Sequence, residues 1–103
     1  MNATELRDAV ESALKEVYDP ELPVNIYDLG LVYKIEIATG GIVNITMTLT
    51  APACPASNEI MFQVQSQVSA IAGVTEVNTH LTFDPPWSRE MMSDEALFEL
   101  GWL

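Results

Sequence analysis

Apolar residues recur at helical spacing in two stretches of the chain. In residues 4–17 and again in residues 60–71, successive apolar positions lie four, four and three residues apart. This spacing lines one face of an α-helix, so both stretches are predicted to be helices. Asn2 or Thr4 can cap the first helix, and Gly73 is a natural end for the second.

Two shorter stretches, residues 33–37 and 43–50, alternate apolar and polar residues. Period-two alternation is typical of a strand with one face toward a core. Thr39, Gly40 and Gly41 separate the two stretches, and glycines tolerate the positive φ of a tight turn. The two strands are therefore predicted to form an antiparallel hairpin.

A third alternating stretch, residues 77–83, has an apolar side and places His80 on its polar side. Asp84 and two prolines end it, and Ser93 is predicted to cap a short closing helix. The predicted fold class is α+β, with element order α-β-β-α-β and a short C-terminal helix. A two-layer sandwich, with both helices on one face of a three-stranded sheet, buries these apolar stripes most economically. The strand order is left open; after a helical crossover the third strand could lie parallel to a member of the hairpin and give a mixed sheet.

The length of 103 residues predicts a single domain over residues 1–103, and 49% hydrophobic residues suffice for one core. Four basic residues against fifteen acidic ones give a net charge of -11. A surface of that sign repels phosphate backbones and anionic lipids, so nucleic acids and membranes are not expected partners. No signal peptide or membrane-spanning stretch is recognisable, which favours a cytoplasmic location.

Cys54 is the only cysteine, which excludes an internal disulfide and any zinc or cluster site built from this chain's thiols alone. If Pro55 takes the first position of the second helix, Cys54 lies at or near its N-cap. The helix dipole and free N–H groups are then expected to lower the pKa of the thiol and favour a reactive, metal-binding thiolate. A cysteine that only packs within the loop is about as probable from spacing alone.

Carboxylates are dense in the loop over residues 19–29, where Asp19, Glu21 and Asp28 accompany Asn25. Such groups could bind a metal or serve acid-base chemistry. Aspartate and asparagine also stabilise turns through local hydrogen bonds, and this interpretation is favoured from the residues alone. His80 has no second histidine or cysteine at ligand spacing and is expected to be solvated.

Trp87 follows Asp84, Pro85 and Pro86 at the tip of a stiff turn. An aromatic residue in that position can anchor a partner protein. The alternative is that Trp87 covers the core as a lid, as small domains often require.

Three segments together resemble the metal-sulfur cluster biosynthesis family, which includes SufT, PaaD-like proteins and the eukaryotic cytosolic iron-sulfur cluster targeting factors. The segments are DPE at 19–21 with NIYDLGLVY at 25–33, TLTAPACP at 48–55, and LTFDPPW at 81–87 followed by Met92 and Ser93. They cover nearly the whole chain in the order typical of that family.

The resemblance implies the fold of iron-sulfur cluster assembly domains and a role in maturing iron-sulfur proteins. It assigns the reactive position to Cys54. It further implies that the acidic loop shapes the site around that cysteine, and the residues expected to shape the site are Asp19, Glu21, Asn25, Asp28, Thr50 and Pro55.

The leading hypothesis is a non-enzymatic accessory factor, working as a homodimer, that handles a transient iron-sulfur cluster or iron through Cys54. Because one thiolate cannot hold a cluster, a second chain, a scaffold or a client apo-protein must supply the other ligands. The first alternative is an adaptor that docks scaffold and client proteins through Trp87 without contacting metal. A thiol-dependent enzyme ranks last, because no histidine base is evident beside the cysteine.

Overall fold

The computed structural model describes residues 2–19, 22–50 and 57–102. Its elements follow the predicted order: α1 (Ala3–Leu14), β1 (Val32–Ala38), β2 (Ile42–Met47), α2 (Ser57–Ser69), β3 (Glu76–Leu81) and the short helix α3 (Asp94–Glu99). A turn of 3-10 helix, Arg89–Met91, precedes α3. No helix in this described part is both long and apolar enough to cross a membrane.

The first helix begins where its cap predicts and ends earlier than its apolar pattern suggests. Asn2 is the N-cap, and its side chain accepts a hydrogen bond of 2.8 Å from the backbone N–H of Glu5. After Leu14 the chain tightens, since the N–H of Val17 bonds to the carbonyl of Leu14 at 3.2 Å. This i to i−3 bond belongs to 3-10 geometry, so the buried Val17 follows α1 rather than closing it.

The three strands form one mixed sheet in the order β1-β2-β3. Strands β1 and β2 are antiparallel, whereas β2 and β3 are parallel and are linked by the α2 crossover. The hairpin turn uses positive φ at Gly40 (89°) and Gly41 (81°), as predicted. A Cβ at Gly41 would collide with the carbonyl of Gly73, so the hairpin also packs closely against the end of the crossover.

One hydrophobic cluster lies between the sheet and the helices. The fully buried side chains that α1, β2 and α2 contribute are Val10, Leu14, Val43, Ile45, Met47, Ile60, Val64 and Val68. Asn44 and Thr46 lie on the other face of β2 and are half-buried. The two-layer sandwich with alternating core positions on β2 is therefore confirmed.

Two details of the strand predictions are wrong. Strand β2 ends at Met47 rather than at Thr50, and Thr48, expected on the polar face, is fully buried. Beyond Met47 the backbone leaves the pleated ladder, so strict alternation no longer decides burial. On β3, Val77 is buried as expected, but Leu81, the last residue of this outer strand, is 43% exposed. Phe83, predicted to continue the strand, lies beyond its end and is 37% exposed.

Candidate functional site

Three chain segments meet at one end of the sheet. Because β1 runs against β2 and β3 runs with it, the start of β1 lies beside the ends of β2 and β3. The N–H of Thr48 donates to the carbonyl of Leu31 at 2.8 Å, and the N–H of Thr82 donates to the carbonyl of Met47 at 2.9 Å. The acidic loop, the segment leading to the cysteine and the turn leading to Trp87 therefore share this end, which we call the site end.

Cys54 and Pro55 lie outside the described residues, but both flanks of their segment are defined. Thr50, half-buried, lies just beyond the end of β2, and Ser57 is the first described residue of α2. In the sequence, Cys54 follows Thr50 by four residues and precedes Ser57 by three. The predicted N-cap position and lowered thiol pKa stay predictions.

The acidic loop is held in shape by side chains that accept hydrogen bonds from backbone N–H groups three residues further along the same loop. Oδ1 of Asp19, a buried residue, accepts the N–H of Leu22 at 3.2 Å. Oδ1 of Asn25 accepts the N–H of Asp28 at 2.9 Å, while its Nδ2 donates to Oδ2 of Asp28 at 2.8 Å. These are the local bonds of Asx-type turns. Glu21 lies outside the described residues.

The C-terminal segment is hydrogen-bonded to the acidic loop. The backbone N–H of Ser93 donates to the carbonyl of Asp28 at 2.9 Å, and Oγ of Ser93 lies 3.3 Å from Oδ1 of Asp28. Oγ of Ser93 also accepts the N–H of Ala96 at 3.1 Å and so caps α3. Sequence reasoning identified the cap and missed the contact with Asp28, because nothing in the local sequence pairs residues 65 positions apart.

Two further hydrogen bonds connect the same segment to Leu29, just before β1, and to Tyr33, near the start of β1. Nε1 of Trp87 donates to the carbonyl of Leu29 at 2.7 Å, and the hydroxyl of Tyr33 donates to the carbonyl of Pro85 at 2.8 Å. Trp87 is half-buried against the core cluster. The hydrogen bond and the packing favour the lid interpretation of Trp87, and its docking role stays a prediction.

A small cavity of about 60 Å³ opens beside Asp28, with Tyr18, Asn25, Glu95 and Glu99 among its lining residues. Sites for small organic ligands usually measure about 300–1,000 Å³, so this cavity does not fit a metabolite. Within the described ranges, no three histidine, cysteine, aspartate or glutamate side chains are grouped to hold a metal ion. His80 is exposed, as expected.

Each of the four basic residues has a partner other than Asp28. Nε of Arg7 lies 3.4 Å from Oε1 of Glu11, and Nζ of Lys34 lies 3.7 Å from Oε1 of Glu36. The remaining two lie over aromatic rings, Lys15 at 5.2 Å from the ring centre of Tyr27 and Arg89 at 4.2 Å from that of Trp102. The hydrogen bonds seen on the Asp28 carboxylate come from neutral donors, the side chains of Asn25 and Ser93.

Comparisons of the sequence and of the fold with known proteins agree on one family. The model of the family described as "Iron-sulfur cluster assembly protein" matches residues 7–79. An Fe-S protein maturation auxiliary factor from Porphyromonas gingivalis is 52% identical over 90 residues, which is 87% of this chain and 86% of the relative. The auxiliary factor SufT from Staphylococcus aureus is 38% identical over 85 residues, covering 82% of this chain and 97% of that protein.

An iron-sulfur cluster carrier protein from Mycobacterium leprae is 37% identical over 99 residues, but these make up 96% of this chain and only 24% of the carrier. Solved structures agree with the fold. A domain of unknown function (DUF59) from Bacillus anthracis superposes with a TM-score of 0.91 at 36% identity, covering 97% of this chain and 98% of that one. A conserved hypothetical protein from Thermotoga maritima gives 0.81 at 41% identity, with coverage of 92% and 93%.

Proposed function

The chain belongs to the iron-sulfur cluster assembly protein family, and from this premise we propose that it is an accessory factor in the maturation of iron-sulfur proteins. The observation that carries the proposal is the convergence at the site end. Hydrogen bonds between Thr48 and Leu31 and between Thr82 and Met47 bring the flank of Cys54 beside the acidic loop and the turn before Trp87.

In this proposal Cys54 is the group that handles the cluster or iron, which is cargo rather than a resident cofactor. A thiolate is a soft ligand suited to iron-sulfur clusters, and clusters are usually held by several thiolates. Because the chain has one cysteine, the other ligands come from a second copy, a scaffold or carrier, or the client apo-protein. The shared sequence with an iron-sulfur cluster carrier supports cargo of this kind.

The acidic loop is proposed to shape the surroundings of Cys54 rather than to bind metal. Both carboxylate oxygens of Asp28 have donors, since Oδ2 accepts from Asn25 and Oδ1 from Ser93. Asp19 is buried and holds the turn at Leu22. Because these carboxylates are occupied by hydrogen bonds within the protein, they fix the backbone of the acidic loop at the site end, which is the role expected of a rigid supporting shell.

The proposed partners are iron-sulfur scaffold or carrier proteins and client apo-proteins, and the chain is proposed to act without catalysing a reaction of its own. We also propose that it works as a homodimer. The net charge of -11 gives electrostatic repulsion from nucleic acids and anionic membranes, which supports protein partners.

Anaerobic reconstitution tests the role of Cys54. Wild type, Cys54→Ser and the control Ala53→Ser, which adds a hydroxyl to the same segment but keeps the thiol, are loaded with iron and sulfide and mixed with a client apo-enzyme. We expect visible cluster absorption and client activation with wild type and Ala53→Ser, and loss of both with Cys54→Ser. Equal client activation by all three proteins would remove Cys54 from the mechanism and favour the adaptor alternative.

A further inference from the structure

Strand β3 presents an open edge. The sheet order leaves β1 and β3 on the outside. The N–H of Thr82 points to β2, since it donates to the carbonyl of Met47. Because this direction alternates along a strand, Val77, Thr79 and Leu81 direct their N–H and C=O groups away from the sheet. Nε2 of Gln65 reaches the outward carbonyl of Val77 at 3.3 Å, which agrees with this assignment.

The opposite edge is protected. On β1, the register is irregular between Val32 and Lys34, and Nη1 of Arg7 donates to the carbonyl of Ile35 at 2.8 Å. Lys34 is exposed on the same strand. An irregular register and charged side chains, lysine above all, are usual means by which a protein prevents edge pairing. Strand β3 has a regular register with β2 along its length and no lysine or arginine.

Exposed apolar side chains flank the open edge. Leu81 is the last residue of β3, and Phe83 follows it; they are 43% and 37% exposed. Phe62, 70% exposed, lies on α2 three residues before Gln65, and residues three apart are neighbours on a helix surface. Since Gln65 reaches Val77, Phe62 lies one turn closer to the site end on the same side of α2. We call Phe62, Leu81 and Phe83 the edge patch.

We propose that the β3 edge and the edge patch bind a second copy of this chain, with the two β3 strands antiparallel across a two-fold axis at Asn78. This register is self-complementary in hydrogen bonding. It places Glu76 of each copy opposite His80 of the other, on the polar face, where an imidazole N–H can donate to the carboxylate. Oε2 of Glu76 already accepts from Asn78 within the chain at 2.9 Å, and a carboxylate has capacity for further donors.

The low charge of this region also favours a second copy. Fifteen acidic residues make the chain self-repelling, but Glu76 is the only acidic residue of β3. The acidic neighbours of the edge patch are Glu59, three residues before Phe62 on α2, and Asp84, directly after Phe83; both lie toward the site end and away from the proposed axis. Two copies that meet here keep most of their carboxylates apart. Gln65 reaches Val77, which is next to the proposed axis at Asn78, and Phe62 lies one helical turn from Gln65, so the arrangement brings the two Phe62 side chains toward the axis.

The antiparallel arrangement has a consequence for the cluster, which rests on the proposed function. The site ends of the two copies lie at opposite ends of a continuous six-stranded sheet, about 20 Å apart along the strand direction. The dimer therefore keeps the two site ends separate. The remaining ligands of a cluster on Cys54 then come from a scaffold or client rather than from the second copy.

Sedimentation velocity over a concentration series tests the interface without any cluster present, so its outcome is independent of the function assay. We expect wild type to dimerise and Phe62→Glu and Leu81→Lys each to raise the dimer dissociation constant by more than about tenfold. Phe98→Glu is the matched control, because Phe98 is 75% exposed but lies on α3, and it should leave dimerisation unchanged. Far-UV circular dichroism confirms that each variant is folded.

Cross-linking tests the register. In a Cys54→Ser background, Asn78→Cys should form a disulfide-linked dimer on mild oxidation, because non-hydrogen-bonded antiparallel partners have Cα atoms about 4.5 Å apart. Asn44→Cys, on the central strand beside Asn78, is the control and should stay uncross-linked. A monomeric wild type, which would leave the edge for an extended segment of another protein, overturns the proposal. So does a dimer that is indifferent to Phe62 and Leu81, or one without an Asn78→Cys cross-link.

Discussion

Ser93 and Asp28 are joined twice, through the backbone N–H of Ser93 to the carbonyl of Asp28 at 2.9 Å and through their side chains at 3.3 Å. The same serine hydroxyl accepts the N–H of Ala96 and begins α3. One residue thus fixes the acidic loop and the C-terminal helix relative to each other. The matching family model covers residues 7–79, so Asp28 lies within the matched part of the chain and Ser93 lies beyond it.

Replacing Ser93 with alanine is expected to remove the helix cap and the bond to Oδ1 of Asp28 together. Loss of a cap costs about 1 kcal/mol and a hydrogen bond to a charged group about 1.5–3 kcal/mol, so we expect a loss of roughly 2–4 kcal/mol in the free energy of unfolding. Urea denaturation measures it. Ser88→Ala is the control, because Ser88 precedes the 3-10 turn without a side-chain capping bond, and its effect should stay within about 0.5 kcal/mol.

Gly30 is expected to tolerate no side chain. Its φ is 82°, and a Cβ there would collide with the carbonyl of Met91, whereas Gly40 has a φ of 89° and nothing within 4 Å. Gly40→Ala should therefore cost only the left-handed backbone term of about 1–2 kcal/mol. Gly30→Ala carries that term and also separates the C-terminal segment from the acidic loop. Thermal unfolding measures the loss of stability in each variant. Equal losses would show that the close contact of Gly30 with Met91 does not contribute to stability.

Trp87 is expected to stabilise the fold through its indole N–H as well as its ring. Trp87→Phe keeps an aromatic ring but leaves the carbonyl of Leu29 without this donor, so we expect a loss of about 1 kcal/mol. Trp87→Ala also removes the packing against the core and should cost about 3 kcal/mol or more. If both variants unfold like wild type in urea but no longer capture a partner, Trp87 is a docking residue rather than a lid.

Much of the fold could be predicted because its determinants are local. The steps of four and three in α1 and α2, the alternation in β2 and the glycines of the hairpin are each set by neighbouring residues. Burial of residues at or just beyond the ends of the strands depends instead on the tertiary structure. Thr48 is buried because of where the chain turns after β2, and Leu81 is exposed because β3 is the last strand of the sheet. Neither fact is contained in an alternation of residue types.

The candidate site divides in the same way. The turn-forming roles of Asp19 and Asn25 follow from residue type and short spacing, and the structure bears out that interpretation. The contacts of Ser93 with Asp28 and of Trp87 with Leu29 join residues 65 and 58 positions apart. Long-range contacts of this kind depend on how the C-terminal segment returns to the sheet, which no local pattern in one sequence encodes.

Cys54 is the only thiol of the chain, so its ionisation can be followed without interference from other cysteines. We expect its rate of alkylation by iodoacetamide to rise with pH about a midpoint below about 8.5, the ordinary pKa of a free cysteine. The physical reason is the predicted position at the start of α2, where free N–H groups and the helix dipole favour the thiolate. The same measurement in about 6 M guanidinium chloride, on the unfolded chain, gives the reference midpoint for this sequence. A folded midpoint at or above the unfolded one would mean that the fold does not activate the sulfur. Cluster handling would then have to depend on a partner that does.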